Sequence, residues 1–118
     1  MKFNMLNKPM VSIMAGIVTA LFSQTAVAQV PYDWTAVGRV KIIEATYMPS
    51  DVPFTLDVAA GSCAPGSMLS YKGWSAGTDI RRANIQAVYT LLLSAKLSGT
   101  PIQIFGVGCE VRYIHLVQ

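Results

Sequence analysis

A single run of helical periodicity, bounded on both sides by glycine, interrupts a chain that otherwise alternates like β-strand. Thr78 is placed to cap a helix opening at Asp79, whose carboxylate suits the positive first turn. The pattern continues to Ser98, where Gly99 supplies a left-handed terminator and Pro101 prevents continuation. Three strands are predicted before the helix. The first covers residues 37–48, with Val40 and Ile42 alternating with Arg39 and Lys41; the second covers 54–58, and a weaker third covers 67–73. Two follow it, over 102–105 and 110–117, parted by Gly106 and Gly108.

Three strands, one helix and two strands exclude a doubly wound α/β fold, which requires repeated strand–helix alternation. The order fits the five-stranded Greek-key barrel of the OB-fold, in which a helix joins the third and fourth strands. The competing architecture is an open antiparallel sheet with one helix packed across it. The chain carries no internal repeat, low-complexity tract or sign of a second domain, so residues 29–118 are expected to form one domain.

Residues 1–28 differ in character. Lys2 and Lys8 precede an uncharged stretch of about 13 residues, well short of the roughly 20 that cross a bilayer as a helix. Ala26-Val27-Ala28 then presents small residues at the two positions a signal peptidase reads, which places cleavage after Ala28. The alternative is an uncleaved membrane anchor; after cleavage no stable membrane insertion is expected. Removing both lysines leaves seven basic residues against six acidic, a net of +1 in place of the precursor's +3. So nearly neutral a surface argues against nucleic-acid binding, which needs a concentrated basic face.

A domain of this size buries a small core and usually needs a staple. Cys63 and Cys109 are the only cysteines, and export would put them where thiols oxidise. They are too far apart for a redox C-x-x-C pair, and with one histidine they cannot complete a four-ligand zinc site. A structural disulfide is therefore expected, worth on the order of 4 kcal/mol for a loop of this length. No metal or other cofactor is implied.

On the helix, Ile80, Ile85, Ala87, Val88, Leu91, Leu92 and Ala95 fall on one broad arc, the face expected against the core. The opposite arc carries Arg82, Gln86, Thr90 and Lys96, together with Tyr89, Leu93 and Leu97. Those last three either lie under neighbouring loops or form an interface with other subunits. Among the aromatics, Trp74 in its Gly-Trp-Ser-Ala-Gly loop, Tyr71 and Trp34 are the candidate ligand-binding residues. Such rings either stack on a sugar or close the end of a small barrel.

No catalytic apparatus is legible, and the chain is expected not to be an enzyme. His115 is the sole histidine; pairing it with Ser62, Ser67 or Ser70 and with Asp57 would be arbitrary. Asp57 and Glu110 as a glycosidase pair have nothing in the sequence to bring them together. The glycine-bearing segment 61–66 lacks the ending of a phosphate loop.

Gly38-Arg39-Val40-Lys41-Ile42-Ile43, the helical stretch Asn84-Ile85-Gln86-Ala87-Val88-Tyr89-Thr90-Leu91-Leu92 and Ser98-Gly99-Thr100-Pro101-Ile102-Gln103-Ile104, with Cys109 in the closing hairpin, carry a resemblance. The chain from about Val37 resembles the B (delivery) subunits of bacterial pentameric toxins, in the subtilase-cytotoxin and pertussis-like branch. The resemblance implies an OB-fold protomer, a homopentamer with its helices lining a pore, an exported partner subunit, and recognition of a glycan or glycoprotein. The sialic-acid-binding branch places a serine beside the first strand; Thr35-Ala36-Val37-Gly38 has none, only an adjacent threonine. The alternative function is a monomeric periplasmic OB-like module that binds another envelope protein.

Overall fold

The computed structural model describes residues 31–73 and 77–117. The helix α1 (Thr78–Ser98) interrupts six strands: β1 (Trp34–Gly38), β2 (Val40–Ile43), β3 (Val52–Leu56) and β4 (Leu69–Tyr71) before it, then β5 (Ile102–Val107) and β6 (Glu110–Leu116). They form one sheet in the order β1-β5-β6-β4-β3-β2. Every neighbouring pair is antiparallel except β4 and β6, which run parallel. Among the described residues the protein is β-rich with one helix, but the strands number six and not the five expected.

The additional strand arises at Arg39. The stretch expected as one strand over 37–48 breaks there. Its first two residues belong to β1, which begins earlier at Trp34 and pairs with β5; the part after Arg39 forms β2, which pairs with β3 and stops at Ile43, and residues 44–48 are not strand. Consecutive pieces of chain thus lie at opposite ends of the strand order. Gly38 makes the corner tight, because a Cβ there would stand 2.5 Å from a methyl group of Val58. A register shift between Val40 and Ile42 follows. The strict alternation expected of Val40 and Ile42 is lost at this bulge: Val40 is buried and Ile42 is 56% exposed.

Phe54, Leu56, Leu69, Ile102, Ile104 and Val111 from the strands pack with Ile85, Leu92 and Ala95 of α1 in one core. The helix lies against β2, β3 and β6. Each fully buried Leu or Ile contributes about 1.5–3 kcal/mol relative to exposure. The apolar arc is narrower than expected, for Ile80 is 58% exposed and Ala87 is exposed as well. Val88 and Leu91 are half-buried at its margin.

The helix termini are set by glycine at both ends. Gly77, not Thr78, is the N-cap, and no side chain caps the first turn; Thr78 is already helical. Asp79 does occupy that turn. Gly99 ends the helix at φ 67°, in the left-handed region that suits a residue without Cβ. Side chains then tie the helix to the sheet. The Arg39 Nε donates to the Gly99 carbonyl at 3.1 Å, Lys96 Nζ donates to the Lys41 carbonyl, and Arg81 donates to the carbonyls of Lys72 (2.7 Å) and Ser50 (3.1 Å).

Candidate functional site

The disulfide and Trp34 close one end of the sheet. Cys63 and Cys109 are joined, with Cα atoms 5.8 Å apart across 46 residues of sequence, and the bond links the β3–β4 connection to the β5–β6 turn. Beside it, the Trp34 indole N–H donates to the Gly108 carbonyl at 2.9 Å. The ring lies on two glycines. A Cβ on Gly61 would come within 2.4 Å of the indole, and one on Gly106 within 2.3 Å. Trp34 is thus a packing element that secures this end of the fold.

The other proposed binding residues lie elsewhere. Tyr71 is in the core, 8% exposed, paired in register with Val52 and Val111, and burial pushes its phenol above the ordinary tyrosine range. Its ring is thus largely taken up in packing. Trp74 lies outside the described residues. On the helix, Tyr89 is half-buried against the core cluster, whereas Leu93 is 37% and Leu97 78% exposed.

What the fold does assemble on its surface is an aromatic cluster drawn from distant parts of the chain. Along β5 burial alternates, with Ile102, Ile104 and Gly106 buried and Gln103, Phe105 and Val107 facing outward. The ladders extend that outer face sideways: Phe105 stands between Thr35 of β1 and Tyr113 of β6, and Gln103 between Val37 and His115. The ring of Tyr32, just before β1, meets Phe105 edge-on at 4.9 Å and Tyr113 at 6.3 Å. Phe105 lies 6.3 Å from Tyr113 and 5.2 Å from His115. Tyr32 is 47% exposed and Val37 50%. Polar groups border the rings, with the Gln103 amide reaching the Thr35 hydroxyl at 3.4 Å. Apolar ring faces beside hydroxyl, amide and imidazole groups can stack on a ligand and hydrogen-bond its edge.

Sequence reasoning did not find this cluster, because the signal is one of register. Phe105 and Tyr113 become neighbours only through the β5–β6 ladder, and a bulge at Phe105/Gly106 moves that ladder by one residue. Three of the groups weighed as catalytic are hydrogen-bonded or ion-paired within the fold. Asp57 accepts the Arg39 backbone N–H at 2.7 Å, Glu110 pairs with Arg112 at 3.2 Å, and the Ser70 hydroxyl donates to Asp51 at 2.5 Å. A cleft of about 270 Å³ beside the start of α1 is lined by Pro49, Ser50, Thr78, Arg81 and Arg82. Among the described residues no group of three or more His, Cys, Asp or Glu side chains converges as a metal site, and no helix is long and apolar enough to cross a membrane.

Compared with models of known protein families, with curated proteins and with solved structures, the chain matches none.

Proposed function

We propose that the protein is an exported, non-enzymatic binding subunit of OB-fold type that recognises glycans through the outer face of β1, β5 and β6 and works as a homo-oligomer in the manner of a toxin B subunit. The observation that carries this reading is the surface cluster of Tyr32, Phe105, Tyr113 and His115 bordered by Gln103 and Thr35. Four rings gathered on a sheet face lie outside the core, yet they make the kind of platform on which sugar rings stack.

The strand arrangement supports the OB-type barrel. β1 and β2 end the strand order on opposite sides while only Arg39 separates them in the chain, so a one-residue corner connects the strands at the two margins of the sheet. The helix between β4 and β5 and the parallel β4–β6 pair agree with this reading. The signal-like segment ending in Ala26-Val27-Ala28 and the Cys63–Cys109 disulfide support export. Association through α1, with a pentamer as the form the resemblance implies, is supported by exposed Leu93 and Leu97.

The test is a glycan array probed with the mature, disulfide-bonded protein, paired with light scattering after size exclusion. Glycan binding by an oligomer is the expected outcome. A strict monomer that ignores every glycan and co-purifies with one envelope protein would replace this reading with that of a periplasmic binding module.

A further inference from the structure

The outer face of β1, β5 and β6 has a charge balance that bears on which sugars it accepts. Two cross-strand rows form it: Thr35, Phe105 and Tyr113 in one, and Val37, Gln103 and His115 in the next. Four charged residues flank or belong to its strands. Asp33 is exposed beside Tyr32, while Glu110, opposite Val107, is paired with Arg112 at 3.2 Å. Arg39, two residues beyond Val37, turns its guanidinium to the Gly99 carbonyl at 3.1 Å. The formal charges of these four cancel, and both cations are directed at protein acceptors.

An acidic sugar brings a carboxylate that must give up water, and sites that take one supply a cation or converging N–H donors in return. A neutral ring makes no such demand. Its C–H face packs on aromatic carbon, and its hydroxyls exchange hydrogen bonds with amide, hydroxyl and imidazole groups. We propose that this face takes a neutral pyranose, stacked on Phe105 and Tyr113 with Gln103, Thr35 and His115 at its hydroxyl edge, and does not select acidic sugars. The inference rests on the glycan-binding reading above and adds the ligand class to it.

Saturation-transfer difference NMR at pH 7.5 on the mature, disulfide-bonded protein tests this, with methyl β-galactopyranoside, methyl α-glucopyranoside and the methyl glycoside of N-acetylneuraminic acid as probes. The expected result is transfer to the ring C–H protons of at least one neutral glycoside, with none to the sialoside. Phe105→Ala should weaken the neutral interaction roughly tenfold, the equivalent of one lost stacking ring. Gln103→Ala, which leaves every ring in place, should weaken it as well and serves if the Phe105 variant does not fold. Equal or stronger transfer to the sialoside overturns the ligand class, as does neutral-sugar binding that survives both substitutions undiminished. A protein that binds acidic glycans alone on the array fails this inference and keeps the broader function; one that binds no glycan in either experiment fails both.

Discussion

Arg39 and Asp57 close the corner between β1 and β2 by a reciprocal pair of hydrogen bonds: the Arg39 N–H donates to Asp57 Oδ1 at 2.7 Å, and the Asp57 N–H donates to the Arg39 carbonyl at 3.1 Å. The residue that leaves the ladder thereby keeps both backbone groups satisfied. Asp57→Ala removes the acceptor and should lower stability by about 1 to 2 kcal/mol in chemical denaturation. Asp57→Asn, which keeps an oxygen at that position, should lose less.

Trp34 needs the two glycines beneath it. Gly106→Ala would drive a methyl group into the indole and against the Glu110 carbonyl, 2.4 Å from the new carbon. We expect a loss of about 1 to 3 kcal/mol, the usual cost of overpacking. Trp34→Phe keeps an aromatic ring but gives up the bond to Gly108, and should cost about 1 kcal/mol or somewhat more. Thermal unfolding of the two variants, with Trp34 and Gly106 also changed together, measures the coupling. Fully additive effects would contradict the packing described.

Thiol labelling of the denatured, unreduced protein should find no free cysteine, since Cys63 and Cys109 are bonded to one another. Replacing both by serine should reduce stability by about 4 kcal/mol on the loop-entropy account. A double variant as stable as the parent would show that the bond does not constrain the unfolded chain.

The two faces of α1 should respond differently to substitution. Leu92 is fully buried, and Leu92→Ala should cost roughly 2 to 5 kcal/mol. Leu93→Gln with Leu97→Gln should leave the monomer folded and weaken association, read by light scattering. Unfolding by the double change would place both leucines in the core.

Burial raises the Tyr71 phenol because ionisation would place a charge where water is scarce. With the folded value above the ordinary one of about 10, this contribution to stability is fully present below that pH and is lost as pH rises through the folded value. Phenolate absorbance should show a late-titrating step that Tyr71→Phe removes, and the same substitution should carry the alkaline loss of stability to higher pH. A late tyrosine that persists in the variant would assign the effect to another ring.

The helix was legible to within a residue at each end because its limits are local: Gly99 and Pro101 act on the backbone wherever the remainder of the chain lies. The β1–β2 break was not, since Arg39-Val40-Lys41-Ile42 alternates smoothly and the corner depends on Asp57 and Val58, nearly twenty residues away. The aromatic face was hidden for a related reason. Counting outward from the Val107–Glu110 pair sets Arg112 opposite Phe105, and only the bulge replaces it with Tyr113. Composition drew attention to the tryptophans instead, yet large rings serve packing and recognition alike, and Trp34 shows the former.

The Cys63–Cys109 bond also orders events in time. A polypeptide that emerges from its amino terminus presents Cys63 long before its partner, with β4, the whole of α1 and β5 still to come. During that interval its own chain offers Cys63 no other cysteine with which to pair. The bond therefore closes late, after the elements it encircles have been made, and its formation is a chemical record that this part of the chain has emerged.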